Sequence, residues 1–283
     1  MNDYRYPVPR DPGDQHIVDV LIEERAPRLM QRKRLWKAIK ALAYPALGYR
    51  RAMAMADEIA NLRGVETLDW AIDFLELAIE PTGVEAVPES GGCVVIANHP
   101  GGIADGVAVW QALGARRPDL CFFANRDALR VCPGLVDVVL PVEWRQNERR
   151  RDSTRETLRS ALDAFGAGRC VVIFPSGRMA EWDWSRWGLR EKPWMPTGVS
   201  FARRFGVPII PLGVNQHMPF LYYALAQVNE ELKDMTIFQG FMDKQASRYR
   251  LNFGAPVDPK SLPASEAEAT DHLRRICEDL AWR

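Results

Sequence analysis

The sequence predicts an α/β fold: a mostly parallel central sheet flanked by helices, with a helical N-terminal portion. Three observations carry this. From residue 84 onward, short apolar runs bounded by Gly, Pro or Asn alternate with stretches of helical period. The runs lack polar alternation, the pattern of strands buried on both faces. Before residue 84 only the helical period recurs. Two regions follow: 1–83, an arm and a helical portion that faces the membrane, and 84–283, the α/β domain.

The N-terminus, "MNDYRYPVPRDPGDQ", is polar and proline-rich and reads as a flexible arm without the apolar stretch of a signal peptide. Residues 16–80 read as helices. "HIVDVLIEERAP" places Ile17, Val20, Leu21 and Ile22 near one face and stops at a proline. In "RKRLWKAIKALAYPALGYRR" the positions Leu35, Trp36, Ile39, Leu42, Ala43, Ala46 and Leu47 keep helical spacing, and Pro45 is a candidate kink. Segments near 52–62 and 67–78 continue the pattern, with Gly64 as a break. "GCVVIANHP", "DLCFFAN", "GRCVVIFPSG" and "GVPIIPLGVNQ" are the expected strands, and 105–114, 152–167 and 197–205 the helices between them. "YRLNFGAPV" reads as a late strand at a sheet edge, and "ASEAEATDHLRRICEDLAW" as a closing amphipathic helix.

The composition is that of a folded chain, 47% hydrophobic and 26% charged over 283 residues. Lys and Arg balance Asp and Glu at 37 each, so net charge gives no reason to expect a nucleic-acid partner. The five cysteines lack C-x-x-C spacing. Cys93, Cys121 and Cys170 open apolar runs and read as core thiols of a reducing compartment. No window approaches the length of apolar sequence that crosses a bilayer as a helix.

Chemistry concentrates in "VVIANHPGGIADG", residues 94–106. Functional groups of parallel sheets collect where strands end, and His99 stands at such an end. Histidine can take a proton near neutral pH. A carboxylate can hold one ring nitrogen as a donor and leave the other as a base. Asp105 follows a glycine pair that lets the loop fold back, so the two side chains can meet. The blander reading is a structural His and a helix-capping Asp. No Ser or Cys lies in the same loop, so the base would act on a substrate oxygen or nitrogen.

After this segment come "FFANRDAL", "VVIFPSGRMAE" and "GVPIIPLGV". The order and spacing of the four blocks resemble the glycerolipid (lysophospholipid, PlsC-like) acyltransferase superfamily over roughly residues 84–257. Within it the "NHP" start and the five residues between His99 and Asp105 resemble the hemolysin-like, lyso-ornithine-lipid O-acyltransferase branch. The resemblance implies acyl transfer from a thioester donor, acyl carrier protein or coenzyme A, to a hydroxyl of a lyso-lipid acceptor such as lyso-ornithine lipid. A lysophospholipid such as 1-acylglycerol-3-phosphate is the alternative acceptor, and a non-catalytic lipid-binding protein the alternative class. It implies His99 as general base and Asp105 as its orienting partner. It assigns substrate binding to Asn98, Gly101, Gly102, Arg126, Phe174, Pro175, Ser176, Gly177 and Arg178. No metal or redox cofactor is implied, and the expected location is peripheral, on the cytoplasmic face of the inner membrane. The third block departs from the Phe-Pro-Glu-Gly-Thr-Arg of phosphatidic-acid-forming members: Ser176 replaces Glu, and the arginine comes one position early. Amides near Gly101–Gly102 or Gly177–Arg178 are candidate oxyanion donors.

Three further features have two or more readings each. Arg145, Arg149, Arg150 and Arg151 form either a docking patch for an acidic carrier protein or a solvated helix start. Trp182, Trp184, Trp187 and Trp194 suit a membrane boundary, a tunnel mouth or ordinary loop packing. The basic helix at 33–51 suits the membrane interface or a docked position. His217 follows the fourth block and is a weaker candidate for the site; His16 and His272 share no metal-ligand spacing with it.

Overall fold

A computed structural model of the chain describes residues 15–143, 151–185 and 187–282. Helices α1 (Ile17–Glu24), α2 (Pro27–Gln31), α3 (Lys33–Ala46), α4 (Tyr49–Ile59) and α5 (Gly64–Leu75) come first. The basic segment is therefore two helices. Pro45 sits in the last turn of α3, and Gly48, at φ +66°, turns the chain into α4 in a conformation that costs other residues more.

A seven-stranded sheet follows, in the order β1-β9-β8-β2-β5-β3-β4. Its strands are β1 (Ala78–Thr82), β2 (Cys93–Ala97), β3 (Cys121–Asn125), β4 (Val139–Val142), β5 (Cys170–Ile173), β8 (Ile209–Asn215) and β9 (Arg248–Phe253). Neighbours run parallel except β8 and β9, which are antiparallel. A separate hairpin joins β6 (Glu181–Asp183) and β7 (Gly188–Arg190). The intervening helices are α6 (Ile103–Leu113), α7 (Asp127–Val131), α8 (Arg151–Gly166) and α9 (Thr197–Phe205). After β8 come α10 (Phe220–Val228), α11 (Glu230–Asp234) and α12 (Ile237–Met242), and α13 (Glu266–Ala281) closes the chain.

The period-2 geometry of the central strand divides the core. Val95 and Ala97 of β2 share a cluster with Val18, Trp36, Met55 and Leu75 of the N-terminal helices. Val94 and Ile96 face the other way, onto Phe165, Phe201 and Leu273 of α8, α9 and α13. The N-terminal helices thus cover one sheet face. A buried ion pair, Arg25 Nη2 to Asp127 Oδ2 at 2.8 Å, ties the end of α1 to α7.

The structure corrects the sequence reading at several elements. β1 lies where a helix was expected. It is the sheet edge, and its mostly exposed "AIEPT" offers no apolar run to read. The expected boundary at residue 84 falls just after this strand. β9 is interior rather than at an edge, since β1 pairs on its outer side. β4, β6, β7 and helices α7 and α10 to α12 had no counterpart in the sequence reading; all of these but α10 are at most six residues long and carry too few positions to show a period. All five cysteines are buried and free. The arginine-rich stretch at 144–150 lies outside the described residues.

Candidate active site

β2 is flanked by β5 and β8, and Ile96 stands opposite Ile173 and Pro211. The loops after these three strands therefore open at one level. Asn98 comes first. Its side-chain Nδ2 donates to Val214 O at 2.9 Å, and its Oδ1 accepts from Val214 N at 2.7 Å. The amide mimics one more rung of the β2–β8 ladder, so Asn98 acts by holding the loop rather than by facing a substrate.

His99 follows. Its Nδ1 lies 2.9 Å from Asp105 Oδ2, and the same oxygen accepts the Gly101 N–H at 2.9 Å. Asp105 is the third residue of α6 and is fully buried, while the His99 side chain keeps 19% of its surface. An ionised carboxylate only accepts, so Nδ1 carries the proton and Nε2 is left with its lone pair free. The ring stacks on Phe174, with centroids 4.4 Å apart and planes at 27°. Phe174 can reach it because it directly follows β5.

The glycine pair has separate reasons. A Cβ at Gly101 would collide with Asp105 Oδ1 and with the Tyr249 hydroxyl. Gly102 caps α6 at φ +75°, and a Cβ there would press on the sulfurs of Met179 and Met218 at 3.0 and 3.1 Å. Of the candidate oxyanion donors, the Gly101 N–H goes to Asp105 and the Gly177 N–H to Phe174 O at 3.0 Å. These two amides are occupied.

Glu191, just after β7, is a site residue that the sequence reading missed. Its Oε1 accepts the backbone N–H of His99 at 2.9 Å, and its Oε2 the Trp194 indole N–H at 3.0 Å. Burial raises its carboxyl above the usual range, against these hydrogen bonds and the nearby Ser176 hydroxyl. The Ala180 N–H in turn donates to His99 O at 2.9 Å. The N–H and the carbonyl of His99 are thus both anchored. Nothing in "EWDWSRWGLREKPW" marks one acid among several as the one that turns toward His99.

The remaining assigned residues divide. Pro175 O accepts the Met195 N–H at 3.0 Å, and Ser176 Oγ donates to Arg178 O at 2.7 Å, so these two shape the turn. Gly177 and Arg178 are exposed. Arg126, after β3, is ion-paired with Glu156 of α8. His217 is exposed, and its ring engages Met218 O. The tryptophans also divide. Trp182 packs near Tyr223 and Trp194 serves Glu191, whereas Trp184 and Trp187 are exposed.

Behind Asp105 lie two more buried polar groups. Burial, then the Asp105 charge, raises the Tyr249 hydroxyl well above its ordinary value. Burial pushes Lys244 down to about 8 against the opposing pull of Asp105 and Asp243, and its Nζ donates to His217 O and Gln216 Oε1.

A base with its orienting acid thus stands at the mouth of a parallel sheet. Residues 78–215, from β1 to the end of β8, match the acyltransferase family, and this segment contains both side chains. Two curated relatives are lyso-glycine lipid O-acyltransferases. That of Phocaeicola vulgatus is 24% identical over 61% of this chain, and the chain spans 59% of that relative's length. That of Bacteroides thetaiotaomicron is 21% identical over 89% of this chain and 93% of its own length. The solved 1-acyl-sn-glycerophosphate acyltransferase PlsC of Thermotoga maritima aligns over 93% of this chain and 94% of its own, at 16% identity and a TM-score of 0.49.

Proposed function

We propose that the protein transfers a fatty acyl chain from a thioester to the free hydroxyl of a lyso-aminolipid, an acceptor of the lyso-glycine or lyso-ornithine lipid type. The contact of His99 Nδ1 with buried Asp105 carries this reading. Nε2 takes the hydroxyl proton as the acceptor oxygen attacks the thioester carbonyl. The new C–O bond forms, the C–S bond breaks, and His99 returns the proton to the leaving thiolate. Asp105 keeps the tautomer and stabilises the transient imidazolium. Two features support an aminolipid over a phosphate-bearing acceptor: the names of both curated relatives, and Ser176 standing where phosphatidic-acid-forming enzymes have glutamate. Acyl carrier protein or coenzyme A is the donor carrier, and the enzyme works as a peripheral protein at the cytoplasmic face of the inner membrane.

The test supplies purified protein with acyl carrier protein and coenzyme A thioesters, each against lyso-glycine lipid, lyso-ornithine lipid and 1-acylglycerol-3-phosphate. Ester formation with a lyso-aminolipid is expected. Turnover confined to the phosphate acceptor would replace the aminolipid, and absence of transfer from both donors would remove the reading.

A further inference from the structure

The Asp105 carboxylate has two oxygens, and only one is accounted for by the dyad. Oδ2 accepts from His99 and Gly101. Oδ1 is buried and without a hydrogen-bond partner in the structure, and so is the hydroxyl of Tyr249. The two atoms flank the same point, because a Cβ at Gly101 would strike both. Tyr249 is fully buried on β9, whose alternation turns Tyr249, Leu251 and Phe253 inward. Its phenol keeps its proton, since burial and the Asp105 charge both disfavour ionisation. Two other titratable groups feel this carboxylate, and both have their own partners. The Tyr223 hydroxyl accepts the Met218 N–H, and Lys244 donates to His217 O and Gln216 Oε1.

We propose that Tyr249 is a positioning residue of the active site. Its hydroxyl donates to Asp105 Oδ1 across Gly101 and so keeps Oδ2 directed at His99. A carboxylate with only one oxygen held can swing about its Cβ–Cγ bond, and the imidazole would lose its fixed tautomer. The absence of a side chain at Gly101 gains a reason beyond loop geometry, because it is what lets β9 and the α6 turn approach. The sheet insertion of β9 beside β8 likewise brings a residue from late in the chain to the back of the dyad.

This inference rests on the proposed roles of His99 and Asp105, and the experiment separates the two. Turnover is measured for Tyr249→Phe, Asp105→Asn and the double variant. Loss of a hydrogen bond to a charged group corresponds to a fall in kcat of about 10- to 100-fold for Tyr249→Phe. KM for the acyl donor should change by less than about twofold, since no ground-state contact is removed. In the Asp105→Asn background the tyrosine substitution should have almost no further effect, because it acts through that carboxylate. A Tyr249→Phe enzyme with wild-type kcat, or an undiminished effect in the Asp105→Asn background, overturns the proposal while leaving the dyad intact. An active Asp105→Asn enzyme overturns the dyad itself. Should Tyr249→Phe fail to fold, Gly101→Ala wedges the same two groups apart and must show the same dependence on Asp105.

Discussion

The carboxylate of Glu191 holds the backbone N–H of His99 at 2.9 Å, although 92 residues separate them. The base proposed for the reaction is thus fixed twice, through its ring by Asp105 and through its peptide by an acid delivered from the β6–β7 hairpin. Glu191→Ala should leave that N–H and the Trp194 indole without acceptors, which costs about 1–3 kcal/mol for each buried group. Glu191→Gln keeps a carbonyl oxygen for one of them. The expected order is therefore wild type, then Gln, then Ala, in both thermal midpoint and turnover. An alanine variant as stable and active as wild type would reduce Glu191 to a surface acid.

His99→Ala removes the proton acceptor and should lower turnover by about 10²–10⁴-fold, with the fold intact. Asp105→Asn should give a stable and nearly inactive enzyme. The amide can present its NH2 to the ring, which favours the wrong tautomer; in the serine-protease triad, the general example of this swap, the cost is about 10⁴. A purely capping Asp105 predicts the opposite, because Asn serves nearly as well at a helix start. Turnover and a melt of that one variant distinguish the two readings.

Lys244 makes stability depend on pH. Burial pushes its ammonium down to about 8, so between there and its ordinary value the unfolded chain binds more protons than the folded one. Stability then rises with pH across that window, at a slope of up to about 1.4 kcal/mol for each pH unit. Denaturant unfolding of wild type and Lys244→Met from pH 7 to 10 should show wild type gaining on the variant above about pH 8. A gap that is flat or moves the other way would contradict the burial of this ammonium.

The basic helix is docked, yet it still presents a face to solvent. Trp36 and Tyr44 of α3 are buried, and Lys40 pairs with Asp19 and Glu23 at 3.3 and 3.1 Å. Leu35 and Leu42 are exposed one above the other, and Lys33, Arg34 and Lys37 are exposed on the same helix. Replacing those three with Gln should weaken binding to anionic vesicles by about 1 kcal/mol each. Lys40→Gln should instead lower stability and leave vesicle binding nearly unchanged. Flotation that is the same for all of these variants would make α3 a packing element only.

Much of the interior was legible along the chain. β2, β3, β5 and β8 are apolar runs because both sheet faces are covered, and burial on two sides leaves no polar position to disguise them. His99 and Asp105 were legible because one short loop joins them. The edge strand β1 and the β6–β7 hairpin were not, because exposed or three-residue strands show neither a run nor a period. Asn98 was assigned to a substrate on resemblance, yet its amide is taken up by Val214.

What the sequence by itself determined is the dyad: a base and an acid six residues apart, brought together by local backbone geometry across two glycines. What only the tertiary structure decided is the shell around it. Phe174 reaches the ring because β5 lies in register beside β2, Glu191 because the hairpin folds back over the loop, and Tyr249 because β9 enters the sheet inside β1. Each depends on strand pairing between distant segments. A single polar or aromatic residue carries no periodic signal of where it will be buried, so its partner appears only when the sheet is assembled.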